Sequence, residues 1–143
     1  KRVMEGVETE ISGAITPNWQ IHAGYSYLHS QIKTAANSRD DGIFLLMPKH
    51  SANLWTTYEV TPKLTLGGGV NAMSSISSAA GLRAGGYATF DAMAAYRFTP
   101  KLKLQINADN IFNRHYYARV GSANTFNIPG SERSLMANLR YDF

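Results

Sequence analysis

Aromatic and basic side chains concentrate in one polar segment, residues 113–131. Aromatic faces pack against apolar or cationic groups, and a guanidinium pairs with acidic oxygens. This combination predicts binding of a ligand with an acidic and an apolar part, without any bond-making chemistry. The predicted ligand-binding residues are Tyr116, Tyr117, Arg119 and Phe126.

The sequence contains little that supports a catalytic or a metal-binding site. The chain has no cysteine, which excludes zinc–thiolate sites and thiol catalysis. The four histidines are His22, His29, His50 and His115, with none of the close spacings of metal-binding motifs. No motif supports a Ser-His-acid arrangement. We therefore expect no metal site, no resident cofactor and no enzymatic activity.

Composition narrows the class of protein further. The 143 residues suffice for one domain, and 17% charged with 11% aromatic residues argues against disorder. The net charge of +4 comes from scattered lysines and arginines, so nucleic-acid binding is not expected. No apolar run approaches the roughly 20 residues of a membrane-spanning helix.

Apolar residues recur with a period of two, which predicts strands. Seven segments show this alternation: 7–15, 19–27, 52–60, 64–72, 88–98, 102–108 and 135–143. Within them, one face carries no charge, and the other carries Glu8, Glu10, Glu59, Asp91, Arg97, Lys103, Arg140 and Asp142. Strands of about ten residues with one apolar face are typical of a membrane barrel, whereas strands in soluble sheets average about five or six. The predicted fold is an all-β, antiparallel transmembrane β-barrel.

Three short turns share one sequence pattern, Thr-Pro-Asn/Lys followed by an apolar residue, at 16–19, 61–64 and 99–102. They alternate with long polar connections. In outer-membrane barrels the short turns are periplasmic and the long loops extracellular, which places the C-terminus in the periplasm. Such barrels have an even number of strands, so seven strands predict that residues 1–143 are the C-terminal part of a larger barrel.

Four segments resemble TonB-dependent outer-membrane receptors of the ferric-siderophore type. They are PKHSANLWTTYEV (48–60), GGYATFDAMAAYRF (85–98), LQINADNIFNRHYY (104–117) and GSERSLMANLRYDF (130–143). The resemblance leads us to expect proline in many relatives where Glu132 stands. The four motifs follow the family's order and cover nearly the whole chain.

This resemblance implies a barrel of 22 strands with its lumen closed by an N-terminal plug. Neither the plug nor the earlier strands lie within residues 1–143. The implied ligand is a ferric siderophore, with its iron already chelated, imported with energy from the inner-membrane TonB complex acting through the plug. The TPK turns, the LWTTY strand and the C-terminal motif favour a hydroxamate-type chelate.

The last strand resembles the signal that the barrel-assembly machinery reads. Its residues are Leu135, Ala137, Leu139, Tyr141 and Phe143, with an aromatic at the C-terminus. The alternative is that these side chains only face lipid and form an aromatic girdle. For Tyr116 and Tyr117, the alternative to ligand binding is likewise a place in the outer aromatic girdle. For Arg119, the alternative is contact with lipopolysaccharide.

Three other interpretations remain open. A passive porin or adhesion-type barrel would have no plug. An outer-membrane protease or lipase would need a catalytic group near the barrel rim. The chain could also represent a barrel fragment captured as a substrate of the assembly machinery. All three share a Gram-negative outer-membrane location and contact with its lipid.

Overall fold

The structure is a computed structural model, and it describes residues 2–32, 47–77, 82–121 and 127–143. Eleven strands occur in these ranges and no helix, so no helix there could cross a membrane. The strands are β1 (Arg2–Thr16), β2 (Trp19–Ile32), β3 (His50–Thr61), β4 (Leu64–Met73), β5 (Ile76–Ser77), β6 (Arg83–Ala84), β7 (Tyr87–Thr99), β8 (Leu102–Asp109), β9 (Tyr117–Val120), β10 (Asn127–Pro129) and β11 (Ser134–Tyr141).

Seven of these strands form one antiparallel sheet in the order β1-β2-β3-β4-β7-β8-β11. They correspond to the seven predicted strands. Each long strand therefore pairs with the next long strand along the chain, as in an up-and-down barrel wall. The described part of the structure thus confirms the predicted all-β architecture.

The pairing register places the apolar residues on one continuous face. Leu54 lies opposite Val70, and Val70 lies opposite Phe90. Because side chains alternate along a strand, the residues between them share the second face, where Asn53 lies opposite Asn71. The first face is called the apolar face below, and the second the polar face.

The apolar face is widely exposed in this chain. Val7 and Ile11 on β1 are about 60% exposed, at 61% and 62%, and Leu139 on β11 is 69% exposed. Soluble proteins rarely show such a contiguous apolar surface. Contact with lipid explains it, because the outer wall of a membrane barrel is apolar.

The first two strands are longer than predicted, with 15 and 14 residues. The added length brings Glu5 onto the apolar face, opposite His29. The apolar face is therefore free of charged residues within the predicted strand spans, but not in the part of β1 that precedes them.

The three Thr-Pro turns share a shift in pairing register, and two of them share a hydrogen-bond pattern. In each, the pairing register shifts just before or at the threonine. The Oγ1 of Thr61 accepts hydrogen bonds from the backbone N–H groups of Lys63 and Leu64, at 3.2 and 3.0 Å. Thr99 repeats this arrangement in the third turn, at 3.3 and 3.0 Å. In these two turns the threonine hydroxyl therefore accepts hydrogen bonds from the backbone of the turn, as Ser and Thr side chains commonly do.

All three turns lie at one end of the sheet, called the turn rim below. The carbonyl of Lys63 accepts a hydrogen bond from the N–H of Arg97 at 2.9 Å, and the carbonyl of Lys101 accepts one from Asp142 at 2.9 Å. The chain therefore ends at the turn rim. The opposite end, called the loop rim, carries the long connections.

Two loops contain short strands that the sequence pattern does not predict. Strands β5 and β6 form a hairpin, and β9 pairs with β10. Ile76, Ala84 and Val120 are buried together, so the two loops pack against each other. The loop rim therefore has a small hydrophobic core of its own.

Trp55 covers a glycine run on the polar face. A Cβ added to Gly69 would overlap the Trp55 ring and lie 2.8 Å from the Leu54 carbonyl oxygen. A Cβ on Gly67 would meet the same ring at 3.1 Å. These two positions lack side chains because the indole occupies that space.

Candidate ligand-binding site

Asn110 organises the segment that follows β8. Its φ is 48°, a left-handed conformation in which asparagine is enriched, and it is only 3% exposed. Its Nδ2 donates hydrogen bonds to the carbonyls of Arg114 and Ser131, both at 2.9 Å. Its Oδ1 accepts from the N–H of Arg114 at 2.8 Å. One side chain therefore joins the two ends of the loop.

One more hydrogen-bonded residue attaches this loop to the wall, and another joins its two ends. Asp91 on β7 accepts a hydrogen bond from the N–H of Asn110 at 2.8 Å through Oδ1 and one from Asn71 at 3.0 Å through Oδ2. Asn113, at a φ of 50°, accepts a hydrogen bond from the N–H of Arg133 at 2.9 Å. The base of the loop is therefore fixed on both sides.

Tyr116 is held between an aromatic ring and a glycine. Its ring stacks on that of Tyr87, with centroids 3.8 Å apart and planes at 27°. Gly130 donates a backbone hydrogen bond to the Tyr116 carbonyl at 2.8 Å, and any Cβ there would overlap the tyrosine ring. This packing fixes Tyr116 in the loop, and its predicted ligand contact stays a prediction.

A groove of about 240 Å³ opens beside this stack. Its lining residues are Arg114, His115, Tyr116, Tyr117, Pro129, Gly130, Ser131 and Glu132. Tyr117 lies on its edge and is 51% exposed. The groove therefore presents aromatic faces, a guanidinium and a carboxylate together, and it can pack against a ring and pair with charged groups.

Strand β9 separates this surface from the core of the loop rim. Val120 is buried with Ile76 and Ala84. Tyr117 and Arg119 on the same strand are both exposed. The groove includes Tyr117 but not Arg119, so Arg119 extends the candidate surface beyond it.

The fourth predicted residue, Phe126, falls in 122–126, outside the described residues. The structure thus brings Tyr116, Tyr117 and Arg119 to one short region, and the ligand-binding role of all four residues stays a prediction.

The residues that position this site were missed at the level of sequence. Asn110, Asn113, Asp91 and Tyr87 were not among the predicted site residues. One signal was present: the two asparagines in DNIFN lie just after a strand, and asparagine is the side chain best suited to a positive φ and to bonding nearby backbone.

Metal ligands do not cluster in the described part of the chain, where no group of three or more His, Cys, Asp or Glu side chains comes together. His22 and Glu10 lie 3.6 Å apart on the polar face. They border an open cavity of about 630 Å³ that is lined mainly by β1–β4 and includes Asn53 and Asn71. This cavity is part of the polar face of the wall.

Four of the predicted assembly residues, Leu135, Ala137, Leu139 and Tyr141, lie on the apolar face of β11, and the fifth, Phe143, follows the end of the strand. Leu135 is 76% exposed, and Phe143 is fully exposed at the end of the chain. The Tyr141 and Phe143 rings meet edge to face, with centroids 5.2 Å apart. Both interpretations, lipid contact and recognition by the assembly machinery, require this exposure.

A long-stranded antiparallel sheet with one apolar and one polar face, short turns at one rim and structured loops at the other, is a segment of a transmembrane β-barrel wall. The family model for the TonB dependent receptor-like β-barrel matches residues 1–111. The chain belongs to this family, as the sequence motifs predicted.

Curated relatives match along almost the whole chain. A ferric-pyoverdine 358 receptor of Pseudomonas putida is 35% identical over 148 residues, which cover 97% of this chain and 17% of the relative. The catecholate siderophore receptor Fiu of Escherichia coli K12 is 30% identical over 151 residues, covering 99% and 20%. The chain therefore spans about a fifth or less of these relatives.

Solved structures agree with the fold. The closed form of Fiu from E. coli K12 superposes with a TM-score of 0.85 at 29% identity, covering 99% of this chain and 21% of that one. The pyoverdine outer membrane receptor FpvA from Pseudomonas aeruginosa PAO1 gives 0.83 at 28%, covering 99% and 22%. These relatives are receptors rather than enzymes, and they support an outer-membrane location. The hydroxamate preference stays a prediction.

Proposed function

We propose that this chain forms the C-terminal seven strands of a 22-stranded, plugged receptor that binds a ferric siderophore and imports it with energy from the TonB complex. One observation carries the proposal. The chain belongs to the TonB-dependent receptor family, and its relatives with ferric-pyoverdine and catecholate names match 97–99% of it.

In this proposal the chelate is bound at the loop rim. Tyr116, Tyr117 and Phe126 pack against the apolar part of the chelate, and Arg119 pairs with its acidic oxygens. The fixed base of the loop supports this role, because a preorganised surface loses less conformational entropy on binding. The iron arrives already chelated, so the protein needs no resident cofactor and no metal ligands.

The turn rim is proposed to face the periplasm. Its three Thr-Pro turns are short, whereas the loop rim carries every long connection, and barrels of this class place their short turns inside. The C-terminus lies at the turn rim and is therefore periplasmic in this orientation. Strand β11 runs to this rim, and along it Leu135, Ala137, Leu139, Tyr141 and, after the strand, Phe143 are available to the barrel-assembly machinery, by strand addition to the edge of β11.

The test uses full-length receptor with Tyr117→Ala and Arg119→Gln substitutions. Binding of ferric pyoverdine, a ferric catecholate and a ferric hydroxamate is measured by quenching of intrinsic fluorescence. Each substitution should weaken binding of the cognate chelate about tenfold, which corresponds to about 1.4 kcal/mol.

Tyr58→Ala serves as the matched control, because Tyr58 is a 48% exposed tyrosine on the apolar face near the turn rim. It should leave affinity unchanged. Equal affinity in wild type and both site variants would remove this loop from the binding site. Chelate uptake that continues without TonB would indicate a passive barrel instead.

A further inference from the structure

Two tyrosines enclose a histidine on the apolar face at the loop rim. Tyr27 on β2 lies directly opposite His50, the first residue of β3, and alternation places both on the same face as Leu54. The Tyr25 hydroxyl lies 2.7 Å from His50 Nδ1, and the Tyr27 and His50 rings have centroids 5.2 Å apart. The N–H of His50 donates to Ser74 Oγ at 3.0 Å, and its carbonyl accepts from the N–H of Ser74 at 2.8 Å. Both the ring and the backbone of His50 are therefore held in place.

A lysine adds a positive charge to this group. Lys49 Nζ lies 5.5 Å from the centre of the Tyr27 ring, in a cation–π contact. The Lys49 carbonyl accepts a hydrogen bond from the N–H of Leu28 at 3.0 Å, which ties the residue to β2. Within the ranges that the structure describes, no ion pair is found for Lys49. Tyr25, Tyr27, Lys49 and His50 are called the outer cluster below.

The outer cluster presents hydrogen-bond donors suited to an anion. Lys49 and His50 are exposed, and Tyr25 is 45% exposed. When His50 Nδ1 accepts the Tyr25 hydroxyl, the proton of the neutral ring is on Nε2, which then donates. An ammonium group and an imidazole N–H thus stand beside the same tyrosine ring, that of Tyr27.

The position of the cluster limits the source of this anion. Lipid covers the apolar face of a barrel, so groups inside the lumen do not reach the cluster. Tyrosines at the end of such a face lie at the level of the lipid headgroups. Glu5, an acidic residue at the same end of the face, is on β1, so β2 separates its backbone from that of Lys49. A phosphate of a membrane lipid is therefore the anion that matches both the charge and the place.

We infer that the outer cluster binds a phosphate of lipid A, the phosphorylated disaccharide that anchors lipopolysaccharide in the outer leaflet. Lys49 and His50 donate to the phosphate oxygens, and the tyrosine rings pack against the sugar. Tyr25 is a positioning residue, because its hydroxyl orients His50. The inference rests on the proposed orientation of the receptor, in which the loop rim faces outwards and meets the leaflet that contains lipopolysaccharide.

Native mass spectrometry of the full-length receptor tests this inference. The receptor is purified in detergent and titrated with diphosphorylated lipid A, and the fraction that carries one lipid is measured. The double variant Lys49→Gln/His50→Gln should bind this lipid about tenfold more weakly than wild type, because both donors to the phosphate are lost. Lys49→Arg keeps the charge and should retain binding. Lys63→Gln is the matched control, because it removes an exposed lysine at the turn rim, and it should leave the affinity unchanged.

Three further ligands distinguish the sources of the phosphate. Lipid A without its phosphates should bind the wild type as weakly as the phosphorylated form binds the double variant. Equal affinity of the wild type for the two forms, or unchanged affinity in the double variant, would overturn the inference. Phosphatidylglycerol that binds as tightly as lipid A would overturn it by indicating a general headgroup contact, and displacement of lipid A by inorganic phosphate would overturn it by indicating a free anion.

Tyr25→Phe tests the arrangement of the cluster, because it keeps the ring and removes the hydroxyl that orients His50. Affinity for diphosphorylated lipid A should fall in this variant. Since Tyr25 acts through His50, the losses from Tyr25→Phe and His50→Gln should be less than additive when the two are combined. Fully additive losses would overturn the positioning role of Tyr25.

Chelate binding is measured on the same samples. A receptor that binds a ferric chelate but shows no preference for phosphorylated lipid A would refute only this inference. A receptor that shows this preference and binds none of the three ferric chelates would refute only the proposed function.

Discussion

Asn110 is the residue whose replacement tests the construction of the candidate site. Asn110→Ala removes three hydrogen bonds, those with Arg114 and Ser131, at 2.8–2.9 Å in a position only 3% exposed. At about 1 kcal/mol each, their loss costs about 3 kcal/mol. Alanine at a φ of 48° adds about 1–2 kcal/mol.

The cost falls on the loop rather than on the whole barrel, because the bonds join residues 110–114 to 131 and not strand to strand. Local opening of the loop should therefore become at least about 100-fold more frequent, since 1.4 kcal/mol is a factor of ten. Amide hydrogen exchange of the full-length receptor measures this. Peptides from 113–121 and 127–134 should exchange faster, and those from β4 should not change.

Asn110→Gly separates the cost of the lost hydrogen bonds from the cost of placing alanine at a positive φ. Glycine also loses the side-chain bonds but tolerates the positive φ, so its effect should be smaller by about 1 kcal/mol. Chelate affinity should fall in both variants, with alanine the weaker binder. Unchanged exchange of 113–121 in the alanine variant would refute the view that Asn110 holds the loop together.

Two further predictions concern the wall. Gly69→Val should lower the Tm, because the valine side chain would collide with Trp55 and with the carbonyl of Leu54. Gly13→Val is the control and should not lower the Tm, because no atom lies within 4 Å of a Cβ added there. Equal Tm shifts in the two variants would contradict this packing. Phe143→Ala should lower the yield of heat-modifiable folded barrel and leave chelate affinity unchanged. The control is Phe98→Ala, because Phe98 is another phenylalanine of the apolar face near the turn rim whose ring meets a tyrosine edge to face. Equal yields of folded barrel from the Phe143 and Phe98 variants would count against an assembly signal.

The strands of the wall could be predicted from sequence because the alternation of apolar and polar residues along a strand is a local pattern. Alternation assigns a face to each residue, so Leu54, Val70 and Phe90 were placed on one face before their pairing was known. The extension of β1 to Arg2 could not be found in this way. Glu5 breaks the apolar alternation there, and the strand continues because its backbone pairs with β2 opposite His29.

The loop rim could not be predicted, for a different physical reason. Ile76, Ala84 and Val120 are isolated apolar residues in polar segments, and no period relates them. Their contact depends on two loops meeting in space, which is a tertiary event. Polar composition correctly located the connections but gave no indication that two of them contain strands.

This division bears on where chelate selectivity should lie. The wall needs only apolar residues on one face and small or polar residues on the other. Two receptors that are 28–29% identical to this chain therefore share its geometry, at TM-scores of 0.83–0.85, although one is named for catecholates and the other for pyoverdine. A surface that different receptors share cannot by itself separate their ligands. The exposed side of β9, with Tyr117 and Arg119, is free of the alternation that constrains the wall. Under the proposed function, substitutions there change the contacts with the chelate without disturbing the sheet that carries them.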